Sequence, residues 1–541
     1  MPAETFKSLL NAASFPLAAR LAHQAVLIPG LDQNVKTPRE FYGEVSSADY
    51  GVPQLIYAEN VMPTSDGLIA TSFQQLITAP EGAGATFDQF IQLRDVDENL
   101  AYFCPAGGAN FVYRNATEGW ESVNPIGVNL KAKVSRAYVN GRTFICYAGL
   151  GIYEYDTVGH TIDKLTLTGI TDEEVLGISQ SNNYLLAHTN IGVYWSSLID
   201  PTDFTPSLET GAGNNIPQDV KGPITALIGV PGGFLIFTPR NCIAATYSTN
   251  IRQPFIFREV DNCGGIDSYE QVTTETSSSK VYAWTTGGLQ TVNLRAAESI
   301  YPEVSDFLTG KFWEEWNTTT KTFVRARQVF DFVVKVAHVS ARYLVISYGR
   351  RNEMFAYALI LDLALKRWGK VKLDHTDVTF FTYLPTGNEL TYASSAPNPY
   401  TAYADTSYAD AARRDTLEAP LKESLAFLKA DGSIHQLVMD YRARTSEAVA
   451  IFGRYQLRRA KFSSLQTVRL DHIEPEWEVS MTALPTVDGA SEWLAIAGVE
   501  IEAHNNTRMF GFDATGKNVA FAVEGTFELK DVEVTMSGAG R

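Results

Sequence analysis

Cysteine is scarce in this chain. Cys104, Cys146, Cys242 and Cys263 lie far apart and form no C-x-x-C pair, which excludes a zinc ribbon or a redox motif of neighbouring thiols. They read as small apolar packing residues kept as free thiols. Cys104 and Cys146 fall at matching places in two similar segments, so a disulfide between them is the alternative. Histidine is equally thin: His23, His160, His188, His338, His375, His435, His472 and His504 are spread too widely to form a local metal pair, and His188, ending an apolar strand, reads as structural. The chain has no G-x-S-x-G elbow, no phosphate loop ending in Lys-Ser/Thr and no H-E-x-x-H helix. No apolar run is long enough to span a bilayer, since the best, from Phe355 to Leu365, is short and broken by Asp362. The first 27 residues scatter Glu4, Lys7 and Arg20 without the basic-then-apolar layout of a signal peptide. These absences point to a soluble chain made in a reducing cytoplasm, with no catalytic residue, metal or cofactor to name and no membrane insertion.

Positive charge is also in short supply. Lys and Arg number 44 against 61 acids, a net charge of -17 in 541 residues. Residues 1–300 hold 17 basic and 30 acidic residues, leaving -13 there and -4 in the remainder. Proteins that grip nucleic acid through its phosphates normally show the opposite balance, which argues against stable DNA binding and leaves passage of DNA open.

What the chain does have is strand. Tyr, Phe, Val, Ile and Thr, cut by 40 glycines, favour sheet over helix. Short apolar strands start at Leu100, Arg142, Tyr184, Phe234, Lys280 and Tyr343, in steps of 42, 42, 50, 46 and 63. Turn signals such as Asn140-Gly141 and Ser181-Asn182-Asn183 precede most of them, and several are followed by a second strand, such as Gly151–Asp156. Four antiparallel strands every forty to fifty residues is the signature of a β-propeller, whose blades bury both faces against neighbours. The expected architecture is all-β: a degenerate propeller of about six blades over 70–395, after an N-terminal arm and lead-in segment over 1–69. A Tyr-rich linker follows over 396–416, then a C-terminal β-domain over 417–541.

Propellers that hydrolyse glycans ring the central channel with carboxylates. The candidates are Asp95, Asp97 and Glu98; Asp172, Glu173 and Glu174; and Asp200 and Asp203. All lie in turn-like contexts, where Asp is favoured because its side chain bonds nearby amides. The insert from Ala296 to Arg327 carries Trp313, Trp316 and Phe323, readable as interface anchors or as plain core. The basic segment Arg454-Tyr-Gln-Leu-Arg-Arg-Ala-Lys offers either a contact for an acidic neighbour or a solubilised exposed strand.

Three patches resemble a known family. Tyr57-Ala-Glu-Asn-Val-Met-Pro-Thr-Ser-Asp-Gly-Leu is similar to an opening found in tail proteins of tailed bacteriophages. So is Val193-Tyr-Trp-Ser-Ser-Leu-Ile-Asp-Pro-Thr-Asp-Phe with the following Gly211-Ala-Gly-Asn. Ile451-Phe-Gly-Arg-Tyr-Gln-Leu-Arg-Arg resembles a C-terminal strand of short-tailed phage (podovirus) nozzle, or tail hub, proteins. This resemblance implies a structural virion protein, made in the host cytoplasm and built into the tail. It would form a ring of six copies below the portal, bound to an adaptor ring and in reach of fibre or plug proteins. The ring would conduct genomic DNA during ejection without holding it. The competing expectation is a propeller that binds or hydrolyses glycans.

Overall fold

A computed structural model describes most of residues 55–383 and 422–539, short loop stretches excepted, together with the backbone of strands Glu4–Leu9 and Glu44–Val45. Local sequence sets the blades. In blade 2, Val134–Val139, Arg142–Tyr147, Gly151–Asp156 and Thr161–Lys164 form an antiparallel meander. Its first hairpin turns at Asn140-Gly141, whose φ angles of 53° and 77° suit Asn and Gly in a two-residue turn that follows the strand twist. Asn182 and Asn183 do the same in blade 3, at 47° and 65°. Second strands such as Gly233–Phe237 and Val281–Thr285 are buried along their whole length, because adjacent blades cover both faces. Outer strands such as Thr161–Lys164 and Ala297–Ser299 turn polar.

Blade 1 is Ile91–Arg94, Leu100–Ala106, Ala109–Tyr113 and Trp120–Val123. Blade 3 is Gly177–Ser181, Tyr184–His188, Val193–Trp195 and Gly213–Asn215, and blade 4 is Ala226–Val230, Gly233–Phe237, Cys242–Tyr247 and Phe255–Glu259. Blade 5 is Val272–Thr274, Val281–Thr285, Gly288–Val292 and Ala297–Ser299. Blade 6, Phe332–Val339, Tyr343–Arg350, Phe355–Asp362 and Arg367–His375, continues outward through Val61–Pro63, Leu68–Ala70 and Glu528–Leu529. The described residues contain one more blade than the sequence period gave. It pairs Asp377–Tyr383, Lys422–Leu428 and Ile434–Val438 with Ser72–Ile77, a strand from before blade 1.

Seven apolar clusters close the circle, one at each junction between successive blades from 1/2 round to 7/1. The protein is therefore a β-propeller of seven blades, locked by an N-terminal outer strand. From blade 2 round to blade 7 the first strands of neighbouring blades lie against one another around the axis. Each runs from what we term the lower face of the disc to the upper face. Turns between strands one and two, and between three and four, accordingly lie on the upper face.

Two expected boundaries move. The linker at 396–416 lies outside the described residues, but its flanks, Tyr383 and Lys422, are direct strand partners, so the segment is an insertion in blade 7. The C-terminal domain consequently begins at Ala448, not at 417. It is a two-sheet sandwich with its own core, including Phe452, Leu465, Val468, Phe510, Phe521 and Val534. Strands from the presumed arm complete it: Glu4–Leu9 pairs with Asp531–Ala539, and Leu55–Glu59 and Glu44–Val45 both pair with Ala448–Leu457. Hydrogen bonding between segments hundreds of residues apart leaves no period in the sequence, which is why these pairings were not foreseen.

The insert between blades 5 and 6 is a short helix, Pro302–Thr309, and a hairpin, Phe312–Asn317 with Thr322–Arg327. The helix seats Val304 and Leu308 in the blade 5/6 core. Trp316 is buried with Tyr57, Val449, Ile451 and Leu484, so it is core between insert and sandwich and not a partner anchor. The side chains of Trp313, Phe323 and the basic segment from Arg454 lie outside the described residues.

Candidate functional site

Two regions of the propeller have the composition of a site, one on each face. On the lower face, Lys335 from the first strand of blade 6 lies 2.9 Å from Asp377 at the start of blade 7 and 3.3 Å from Glu270 ahead of blade 5. Asp377 also accepts the backbone N–H groups of Phe90 and Val378, at 2.8 and 2.7 Å. Gln89, leading into blade 1, donates through Nε2 to the hydroxyl of Tyr269, ahead of blade 5, and accepts Val134 N–H of blade 2 at 3.2 Å. Blades 1 and 5 are not neighbours, so these contacts bridge the mouth of the channel.

Burial opposes the Lys335 charge, yet Asp377 and Glu270 outweigh it and hold the ammonium above the usual lysine range. Burial pushes the Asp377 carboxyl upward against the pull of Lys335 and the two amides. We favour the ion pair, because two acids and two N–H donors converge there. Burial also raises Tyr269. The Lys335 and Asp377 groups have their partners within the protein, so this lower mouth serves to hold blades together. None of its members stood out in the sequence. The one available signal is Lys335 itself, a lone cation in the apolar run Phe332-Val-Val-Lys-Val-Ala.

The predicted carboxylates do not converge on this mouth. Asp172, Glu173 and Glu174 form one 3-10 turn capped by Thr171, with Asp172 on Lys164 at 2.7 Å. Asp200 caps its own turn through Thr202, and Asp203 accepts the Thr168 hydroxyl at 2.8 Å and Thr205 N–H at 2.9 Å, which holds its carboxyl below the ordinary range. Asp95, Asp97 and Glu98 lie outside the described residues. His188 is buried, its Nδ1 3.1 Å from the Thr189 carbonyl. No cluster of His, Cys and carboxylates suited to a metal occurs among the described residues, and all four cysteines are free thiols.

The upper face differs. The seventeen-residue connection 196–212 of blade 3 folds on itself: Trp195 Nε1 donates to the Gly211 carbonyl at 3.0 Å, and Phe204 is fully buried in the blade 2/3 core. A Cβ on Gly213 would come within 2.8 Å of the Trp195 ring. The Trp-Ser, Pro-x-Asp-Phe and Gly positions thus build one rigid loop, and its tip leaves Leu198, Ile199 and Leu208 exposed. Asn140, in the upper turn of blade 2, donates to the Leu198 carbonyl at 3.5 Å and so ties the loop to that blade. Blade 4 adds exposed Tyr247 beside Phe255, whose ring lies 5.6 Å from that of Tyr184 beside the loop. Four of the eleven exposed large hydrophobics among the described residues, Leu198, Ile199, Leu208 and Tyr247, lie on this rim. Sequence reasoning marked the loop by its motif but read none of these side chains as surface.

No family model matches the chain, and no curated protein matches it. Among solved structures it is similar to YCF48 bound to D1 peptide, at 11% identity over 71% of this chain and 98% of that one, with a TM-score of 0.39. It is also similar to the WD40 β-propeller domain of Doa1, at 9% identity over 68% of this chain and 98% of that one, with a TM-score of 0.39. No helix among the described residues is long and apolar enough to cross a membrane.

Proposed function

We propose that this protein is a structural component of a phage tail, forming an axial nozzle ring of identical copies that conducts the genome outward. The observation that carries this reading is the rim of blades 3 and 4, where Leu198, Ile199, Leu208 and Tyr247 are exposed. Exposed apolar groupings of this kind mark contact surfaces with other proteins. The lower channel mouth is bridged by its own ion pairs, which suits a propeller that serves as mass and contact surface while DNA passes along the axis of the ring. The charge of -17 fits a conduit, because each phosphate held by Lys or Arg would add a well to the path of a sliding duplex. Six copies would carry roughly -100, screened beyond about 8–10 Å at physiological salt. The three sequence patches shared with tail proteins give the same direction.

Electron microscopy and mass spectrometry of native phage particles containing the chain test this. A ring on the tail axis below the portal is expected, and absence of the chain from any particle would refute it. The aromatic member of the rim, Tyr247, favours a second reading, glycan binding by stacking. A glycan array would show it as saturable binding lost in Tyr247→Ala.

A further inference from the structure

Two of the four cysteines meet on the lower side of the disc. Cys242 opens the third strand of blade 4 and is fully buried in the blade 4/5 core, while Cys263, in the connector from blade 4 to blade 5, packs against the same cluster and is partly exposed. Backbone bonds bring them together. Val260 N–H donates to the Cys242 carbonyl and Ile266 N–H to the Thr238 carbonyl, each at 2.9 Å, so the connector runs back along the start of the Cys242 strand. Between those two bonds the chain turns at Asn262, whose φ is 58°. Gln290 of blade 5 then pins both flanks of Cys263: its Oε1 accepts Gly264 N–H at 3.1 Å, and its Nε2 donates to the Asn262 carbonyl at 3.0 Å. The Cys263 thiol donates to the Gly264 carbonyl at 3.4 Å, which leaves its sulfur to accept the S–H of Cys242. Cys104 and Cys146, the pair that the sequence suggested, lie instead in the blade 7/1 and blade 2/3 cores and face away from each other.

Their different exposure gives an order of reaction. Cys263 is the thiol a solute can reach. Burial, reinforced by the Cys263 thiol, raises Cys242 well above the ordinary thiol range, so Cys242 is inert until an activated sulfur lies beside it. With a small disulfide such as oxidised glutathione, the Cys263 thiolate attacks one sulfur, the S–S bond of the reagent breaks, and one glutathione thiolate leaves. Cys242 then loses its proton, bonds to the Cys263 sulfur and expels the second glutathione thiolate. Both thiol protons end on the departing glutathiones: the protein gives up two hydrogens with their electrons, and one oxidised glutathione becomes two reduced molecules.

We propose that Cys242 and Cys263 form a reversible redox pair, closing to a disulfide that ties the blade 4/5 connector to the core of blade 4 once the protein meets an oxidising thiol–disulfide pool. The connector ends in the turn Tyr269–Gln271, capped by Ser268, which accepts Glu270 N–H at 3.3 Å. Tyr269 and Glu270 are what this side of the propeller gives to the lower mouth. The bond therefore stiffens the strut beneath that mouth, and closing the loop from 242 to 263 constrains the unfolded chain as well. Made with free thiols in a reducing compartment, the chain gains this brace on passing into an oxidising one.

The test uses the full chain, purified under reductant and then equilibrated with oxidised glutathione. The intact mass is expected to fall by two hydrogens, and a non-reduced digest to join the peptides that hold Cys242 and Cys263. The melting temperature should rise by a few degrees, and excess reduced glutathione should reverse all three changes. Cys242→Ala, which keeps a small apolar group in the core, removes the resolving thiol, so this variant should stop at one glutathione held on Cys263. Cys263→Ser should remain unmodified. An intact mass that oxidised glutathione leaves unchanged overturns the proposal, as does a bond joining any other two of the four cysteines. A Cys242→Ala chain that takes no glutathione at Cys263 overturns it too.

Discussion

At the residue scale, the buried ionisable groups make the propeller acid-sensitive through one histidine. His375 ends the fourth strand of blade 6 and is fully buried, its Nδ1 2.6 Å from the Leu373 carbonyl and its Nε2 2.8 Å from Ser347 Oγ. The carbonyl can only accept, so Nδ1 carries the hydrogen and Nε2 takes one from Ser347. Burial lowers the imidazole to about 4, aided by the Lys335 charge and opposed by the Leu373 bond. In the unfolded chain it titrates near 6.5. Between those values the unfolded state binds a proton that the folded state refuses, so this stabilisation is whole above pH 6.5 and lost as pH falls toward 4. Urea unfolding should therefore show about 2 kcal/mol less stability at pH 5 than at pH 7.5 from this group. In His375→Gln that portion of the difference should vanish, and an unchanged pH profile in the variant would assign the sensitivity elsewhere.

At the element scale, the blades divide into those legible in sequence and one that was not. The starts read at Leu100, Arg142, Tyr184, Phe234, Lys280 and Tyr343 coincide, within one residue, with the second strands of blades 1 to 6. They could be found because a second strand is covered on both faces and so reads as an unbroken apolar run behind a turn. The second strand of blade 7 begins at Lys422, 79 residues after Tyr343, because residues 384–421 interrupt its first hairpin. Its outer strand comes from Ser72–Ile77. Neither the long step nor the remote partner has a local signature. The same holds for the channel mouth, whose Gln89, Tyr269, Lys335 and Asp377 come from four separate blades' lead-ins and strands. If 384–421 is an insertion in a hairpin, replacing residues 386–419 with a short Gly-Ser turn should leave the melting temperature within a few degrees of wild type. Loss of cooperative melting would show instead that the segment belongs to the fold.

At the scale of the whole molecule, propeller and sandwich are sewn together more than once. Blade 6 continues through Val61–Pro63 and Leu68–Ala70 into Glu528–Leu529. At the same junction Lys370 lies 4.8 Å above the rings of both Tyr57 and Tyr357 and 3.7 Å from Glu59. Trp316 reaches across from the insert, giving its indole N–H to Glu524 at 2.8 Å, while Lys321 pairs with the same carboxylate. Removing the indole leaves a cavity among Val449, Ile451 and Leu484. Trp316→Ala is expected to cost about 3–5 kcal/mol and to split one calorimetric transition into two as the halves uncouple. A single transition shifted downward would mean that the shared sheet alone keeps them cooperative.

The strand that locks the propeller also sets a clock on its synthesis. Ile77 pairs with Ile434, so 357 residues must leave the ribosome between the making of the first half of the lock and the second. At ordinary elongation rates that is roughly 20 to 70 s. During this time six blades stand as an open arc with two bare apolar flanks, blade 1 facing where blade 7 will be. An unfinished arc of one chain presents to another the surfaces that a finished blade would cover. The rate at which the last blade arrives then governs how much of the chain closes its circle and how much aggregates.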